Sequence, residues 1–235
     1  SNAVSCLDLD EEGALLLAGS LCGTLCAYDM LSLQYKAQVA DLENTVPAQV
    51  AKLYCPRPIQ NAQWMPASGQ QSEIAYICAT ESKLYLHDLS YVSDKPMRIF
   101  SQAVDGWGVA PPPLQDLTAT QDACLASTRS GTVLLWDRRA KSSKPKLTFT
   151  LPDASKARGA AIRSLAVAED GVTLYGGSEG GLLSVWDLRG GNNSSGAAFG
   201  SLRKPSIPIL SGFDLVAAMQ SDPDFLHESL SRSSL

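Results

Sequence analysis

The residues best suited to chemistry are few and scattered. The 235-residue chain holds two histidines, His87 and His227, together with six cysteines and 24 acidic residues. A histidine-based triad needs a nucleophile and an orienting carboxylate beside the imidazole. His87 precedes Asp88, but no Gly-x-Ser-x-Gly elbow presents a serine, and His227 lies in the tail. The phosphate loop Gly-x4-Gly-Lys-Ser/Thr is absent. Cys22 and Cys26 are four apart, yet no second cysteine pair or histidine cluster completes a zinc site. Most of the cysteines lie in apolar runs such as YICAT and CLASTRS, where a reduced thiol acts as a small hydrophobe. Asp8, Asp10, Glu11 and Glu12 fall where a turn is expected. These residues point to no catalysis, no metal and no cofactor.

A different chemistry is written twice. GTVLLWDRRAK (131–141) and GGLLSVWDLRG (180–190) share a glycine, an apolar run, Trp-Asp and an arginine three positions after the tryptophan. The endings are Trp136-Asp137-Arg138-Arg139 and Trp186-Asp187-Leu188-Arg189. An arginine's planar fork makes bidentate contacts, and arginine is enriched among residues that dominate interfaces. The basic run RRAKSSKPK (138–146) fits a nuclear-import signal, a contact with an acidic partner, or a solvated loop. In DGWGVAPPPLQD (105–116), Trp107 stands between glycines before three prolines. It serves equally as an aromatic anchor for a partner or as a cover for the molecule's own edge.

These residues need elements to hold them, and the chain repeats those elements. Weaker copies of the same word end in Tyr28-Asp29 and His87-Asp88. Tyr28, His87, Trp136 and Trp186 are separated by 59, 49 and 50 residues. Upstream of each pair lie two further strand-like runs, for example ALLLAGS, IAYICAT, ACLASTR and TLYGGSE. Downstream a fourth run reads QYKAQVADL, MRIFSQ, KLTFTLPD and AAFGSLRK. Four short strands per unit, with Gly, Ser and Asp turns and a 40–50-residue period, is the pattern of propeller blades. TVLLW and LLSVW are apolar almost throughout, as expected of strands buried on both faces.

The pattern small-small-x-polar-Gly-x-apolar-x-apolar-Trp-Asp resembles the WD-repeat β-propellers, over residues 4–205. The resemblance implies an all-β fold of four-stranded antiparallel blades, about four being recognisable, within a larger seven-bladed ring. The blades fall near 4–42, 58–103, 112–153 and 160–205. The family's Gly-His dipeptide is missing. Ser130 and Gly180 stand where its turn aspartate belongs, so stability is expected to rest on apolar packing between blades. The resemblance also implies a non-catalytic scaffold whose partners are other proteins. Propellers ending in Trp-Asp-x-Arg resemble substrate receptors of cullin-4 RING ubiquitin ligases, where the arginine meets the large adaptor; here that role would fall to Arg139 or Arg189. A hydrolase with a loop-built site is the remaining alternative.

Ser1-Asn2-Ala3 reads as a tag-cleavage scar. Four blades leave apolar end faces, which a longer chain, a partner or closure of four blades into a ring would cover. Residues 206–235 form a tail, with a short helix expected over Asp214–Gln220 and a disordered Ser-rich end. The net charge of −5 disfavours nucleic acid as a partner. No apolar run is long enough to span a bilayer, and no small-molecule substrate is indicated. Reduced cysteines and the lack of a secretory signal suggest the nucleus or cytoplasm.

Overall fold

In the computed structural model, described residues are 3–32, 47–66, 75–89, 95–102, 110–151, 161–189 and 213–214. The alternating and apolar runs become strands, arranged as four separate sheets of four. The first holds β1 (Val4–Leu9), β2 (Leu15–Ser20), β3 (Thr24–Asp29) and β4 (Ala48–Tyr54). The second holds β5 (Asn61–Trp64), β6 (Ala75–Ala79), β7 (Lys83–Asp88) and β8 (Arg98–Ser101). The third holds β9 (Leu114–Ala119), β10 (Ala123–Thr128), β11 (Thr132–Asp137) and β12 (Leu147–Thr150). The fourth holds β13 (Ile162–Val167), β14 (Thr173–Ser178), β15 (Leu182–Asp187) and β16 (Phe213–Asp214). Every sheet is an antiparallel meander in chain order. The first strands β1, β5, β9 and β13 lie beside one another in succession. The four blades therefore fan from a common inner edge: this is a β-propeller architecture.

The turn between a blade's second and third strands shows how local sequence sets the meander. The hydroxyls of Ser20, Thr128 and Ser178 each accept the backbone N–H four residues on, at 3.0, 3.2 and 3.1 Å. Gly23, Gly131 and Gly181, just before or at the strand start, take φ values of 84°, 79° and 79°. Only glycine occupies that region without strain, so Ser/Thr-x-x-Gly encodes the turn.

Between blades the packing is apolar, as expected. In β11, Leu134 and Trp136 point toward the second blade and meet Leu86 and Phe100. Val133 and Leu135 point the other way, toward Ile162, Leu174 and Trp186 of the fourth blade. This strand is buried on both faces because a blade stands on each side of it. Between the first two blades, Leu17, Leu25 and Leu53 pack on Ile59, Trp64 and Tyr76.

Three expectations need correction. The fourth strand of the first blade is Ala48–Tyr54, not QYKAQVADL. AQVAD and AQVAK have the same local pattern, and the pairing falls on the second. Paired with β3, it sets Leu53 opposite Leu25, and both are buried against the second blade. The first blade thus runs to residue 54 rather than 42; residues 33–46 lie outside the described residues. In the last blade the fourth strand is Phe213–Asp214, in register with Leu183 and Leu182, not AAFGSLRK, which also lies outside the described residues. Asp214 is accordingly a strand residue rather than the start of a helix, and 215–220 of the expected helix fall outside.

Candidate functional site

The Trp-Asp-x-Arg endings are anchored by the seam with the preceding blade. Trp136 is 1% exposed, and its indole N–H donates to the Ser101 carbonyl of the second blade at 3.3 Å. Its ring tilts against Phe100 at 6.2 Å. Trp186 is 2% exposed, packed on Phe149 at 6.5 Å and lying over the bare Cα of Gly176. With each indole locked, the aspartate that follows it marks the strand end at a fixed height.

Each aspartate then shapes the next turn. Asp137 accepts the Arg139 N–H at 2.9 Å, and Asp187 accepts the Arg189 N–H at 2.8 Å. Lys146 closes on Asp137 at 2.9 Å and, with those N–H bonds, holds its carboxyl below the usual range. Arg189 does the same for Asp187, through a two-pronged contact at 3.1 and 3.0 Å. Arg139 instead reaches Asp122 in the turn between β9 and β10. Both guanidiniums stay in water, with side chains 77% and 75% exposed. Exposed pairs of this kind are weak and exchange readily for an outside carboxylate.

Between these endings lies a cleft of about 270 Å3 at the seam of the third and fourth blades. Its floor is aliphatic (Leu135, Leu147, Val172, Leu188) and its rim carries Asp122, Asp137, Lys146 and Arg189. Across the seam, Asp170 accepts the N–H groups of Val172 and Thr173 and the Thr173 hydroxyl, which pull its carboxyl down to about 2. The β13–β14 turn that walls the cleft is therefore fixed. An aliphatic floor with a charged rim suits one apolar side chain flanked by polar contacts.

Sequence reasoning missed the residue that sets the basic loop. Arg98, on β8 of the second blade, donates to the carbonyls of Arg138 and Ala140, and Ser101 N–H donates to the Ser143 carbonyl at 3.0 Å. The loop 138–146 is thus stapled to its neighbour blade, with Arg138 half-buried and Lys141 and Lys144 exposed. MRIFSQ shows an arginine in a strand-like run, but nothing local says whose carbonyls it will meet.

The remaining expected positions divide clearly. His87 and Asp88 are buried, at 5% and 7% exposure. His87 stacks on Tyr76 at 5.2 Å, and desolvation pushes its imidazole down to about 4. Its Nε2 has no hydrogen-bond partner, so it behaves as the packing residue its position suggests. Asp29 caps a turn by accepting the Ser32 N–H at 3.1 Å. Tyr28 is only half-buried. Trp107 lies outside the described residues.

The inner strands carry two carboxylates, Asp8 and Asp116, both committed to joining blades. Asp8 lies in β1 itself, not in the turn after it. It accepts the Trp64 N–H at 2.7 Å, and Asp116 accepts the Leu165 N–H at 2.7 Å and the Asn61 amide. Burial raises the pKa of each. Among the described residues no three His, Cys, Asp or Glu side chains gather as a metal site, and no helix is long and apolar enough to cross a membrane. All six cysteines are free thiols. Cys22 is exposed, and hydrogen bonds with Ser20 and Thr24 at 3.0 and 3.3 Å draw its thiol down to about 7.

No family model matches the chain, and no curated protein matches it in sequence. Among solved structures it is similar to the β-propeller domain of Cps50 (Swd1) from Myceliophteria thermophila, at 16% identity and a TM-score of 0.62. The match covers 93% of this chain and 60% of that one. The chain thus spans three-fifths of the propeller it resembles, and at this identity the likeness concerns the fold.

Proposed function

We propose that the chain is a divergent WD-repeat propeller segment that acts as a non-catalytic scaffold, docking another protein on the seam of its third and fourth blades. One observation carries this reading. Two equivalent arginines, Arg139 and Arg189, stand 77% and 75% exposed on adjacent blades, with an aliphatic cleft between their strand ends. A rigid base holds both, so a partner meets two forks and a slot at fixed separations, and little ordering cost opposes binding. Asp8 and Asp116, the inner carboxylates a hydrolase would draw on, serve blade-to-blade hydrogen bonds instead.

The Trp-Asp-x-Arg ending also favours a second, narrower reading: a substrate receptor of a cullin-4 RING ligase, bound to the large adaptor through the same arginines. One experiment addresses both. Tagged wild-type chain and the Arg139→Ala/Arg189→Ala double variant are recovered from cells, and purified cullin-4 adaptor is tested separately. Loss of two central arginines is expected to weaken capture of a stoichiometric partner by about tenfold or more, with an unchanged thermal melt. Direct binding of the adaptor, lost in the double variant, supports the narrower reading. Equal recovery of the same partner by both proteins refutes docking on this seam.

A further inference from the structure

The basic run 138–146, between β11 and β12, is a preformed surface rather than a free length of chain. Most of its backbone groups already have partners. Arg98 of the second blade donates to the carbonyls of Arg138 and Ala140, and the Ser101 N–H donates to the Ser143 carbonyl at 3.0 Å. Asp137 accepts the N–H groups of Arg139 and Ala140 at 2.9 and 3.3 Å. The Lys144 N–H donates to the Ser142 hydroxyl at 3.1 Å, and the Lys146 N–H to the Leu135 carbonyl at 2.7 Å. The Arg98 guanidinium also lies over the Phe100 ring at 5.5 Å, and Phe100 packs on Trp136. The loop is thereby anchored to the seam of the second and third blades. What it has left to offer is side-chain charge.

That charge is concentrated and only partly neutralised. Arg138, Arg139, Lys141, Lys144 and Lys146 come from the loop, and Lys95 and Arg98 from the entry to β8. Asp122 takes Arg139, and Asp137 takes Lys146. Lys141 and Lys144 are exposed, and among the described residues no carboxylate pairs with either. Like charges held this close repel one another. A partner bringing carboxylates relieves that repulsion, and a fixed backbone keeps the ordering cost of binding low.

We infer that this strip docks a short acidic segment of a partner protein, a run of Asp and Glu whose carboxylates meet Lys141 and Lys144. A polynucleotide offers the same sign of charge but extends past the strip. The chain as a whole carries −5, so the flanking surface disfavours a long polyanion. The site is separate from the docking seam proposed above, because neither lysine lines the cleft between the third and fourth blades. Each of the two surfaces can therefore fail alone.

The test is fluorescence anisotropy on the whole chain, with a fluorescein-labelled peptide of about ten alternating Asp and Glu residues as the probe, at about 50 and 150 mM NaCl. Wild type is expected to bind, more weakly at the higher salt. Lys141→Glu/Lys144→Glu is expected to bind about tenfold more weakly or worse, with an unchanged thermal melt because both side chains are exposed. Lys83→Glu/Arg129→Glu alters net charge equally at exposed positions on β7 and the β10–β11 turn, and is expected to bind as wild type does. Absence of binding by wild type overturns the proposal, as does equal affinity in the Lys141→Glu/Lys144→Glu variant. An equal loss in both double variants assigns the effect to net charge and overturns it too. Tighter binding of a single-stranded DNA of about the same length and charge gives the strip to nucleic acid instead, and likewise overturns it.

Discussion

His87 makes the stability of this propeller depend on pH in a way that can be worked from its surroundings. It takes the place of a repeat tryptophan, stacked on Tyr76 and 5% exposed, with no partner for Nε2. Desolvation lowers its pKa from 6.5 to about 4. The folded state therefore holds the imidazole neutral while the unfolded chain binds a proton below pH 6.5. Stability is full above that value, falls as pH drops toward 4, and is then constant in this respect. A shift of this size corresponds to about 3 kcal/mol over the whole window, and about 2 kcal/mol by pH 5. The carboxylates act elsewhere. Asp137, Asp170 and Asp187, held low by their partners, lose stability only as pH falls below the ordinary carboxylate range of about 4. Asp8 and Asp116, raised by burial, stabilise the fold as pH falls through their range. All five persist in His87→Phe, which keeps the ring stack, so they cancel in a comparison. Urea unfolding followed by tryptophan fluorescence at pH 7.5 and 5 is expected to show wild type losing about 2 kcal/mol more than His87→Phe. Equal losses in the two proteins would mean that His87 is solvated or partnered, and the argument fails.

Two glycines give contrasting steric tests by thermal melting. A Cβ on Gly176 lies 2.6 Å from the locked Trp186 ring, so Gly176→Ala is expected to cost about 1–3 kcal/mol. At Gly13, with φ +67 and nothing within 4 Å, alanine costs only the left-handed backbone strain, about 1 kcal/mol. Asp116→Ala leaves the Leu165 N–H and the Asn61 amide without their acceptor. It is expected to lower stability by about 1–3 kcal/mol in urea unfolding, whereas Asp116→Asn, which keeps one acceptor oxygen, costs less.

The sequence by itself determined everything that repeats locally. The Ser/Thr-x-x-Gly turns, the alternating strands and the apolar words before Trp-Asp each depend on neighbours a few residues away, and the meander follows from them. The burial of Trp136 and Trp186 and the strand-end places of Asp137 and Asp187 were legible for the same reason: they follow from position in the strand. Tertiary structure decided whatever depends on contacts distant in the chain. It paired Ala48–Tyr54 with β3 in a register that buries Leu53 against the second blade. It set Arg98 on carbonyls 40 and 42 residues away, and Asp8 on a backbone N–H 56 residues away.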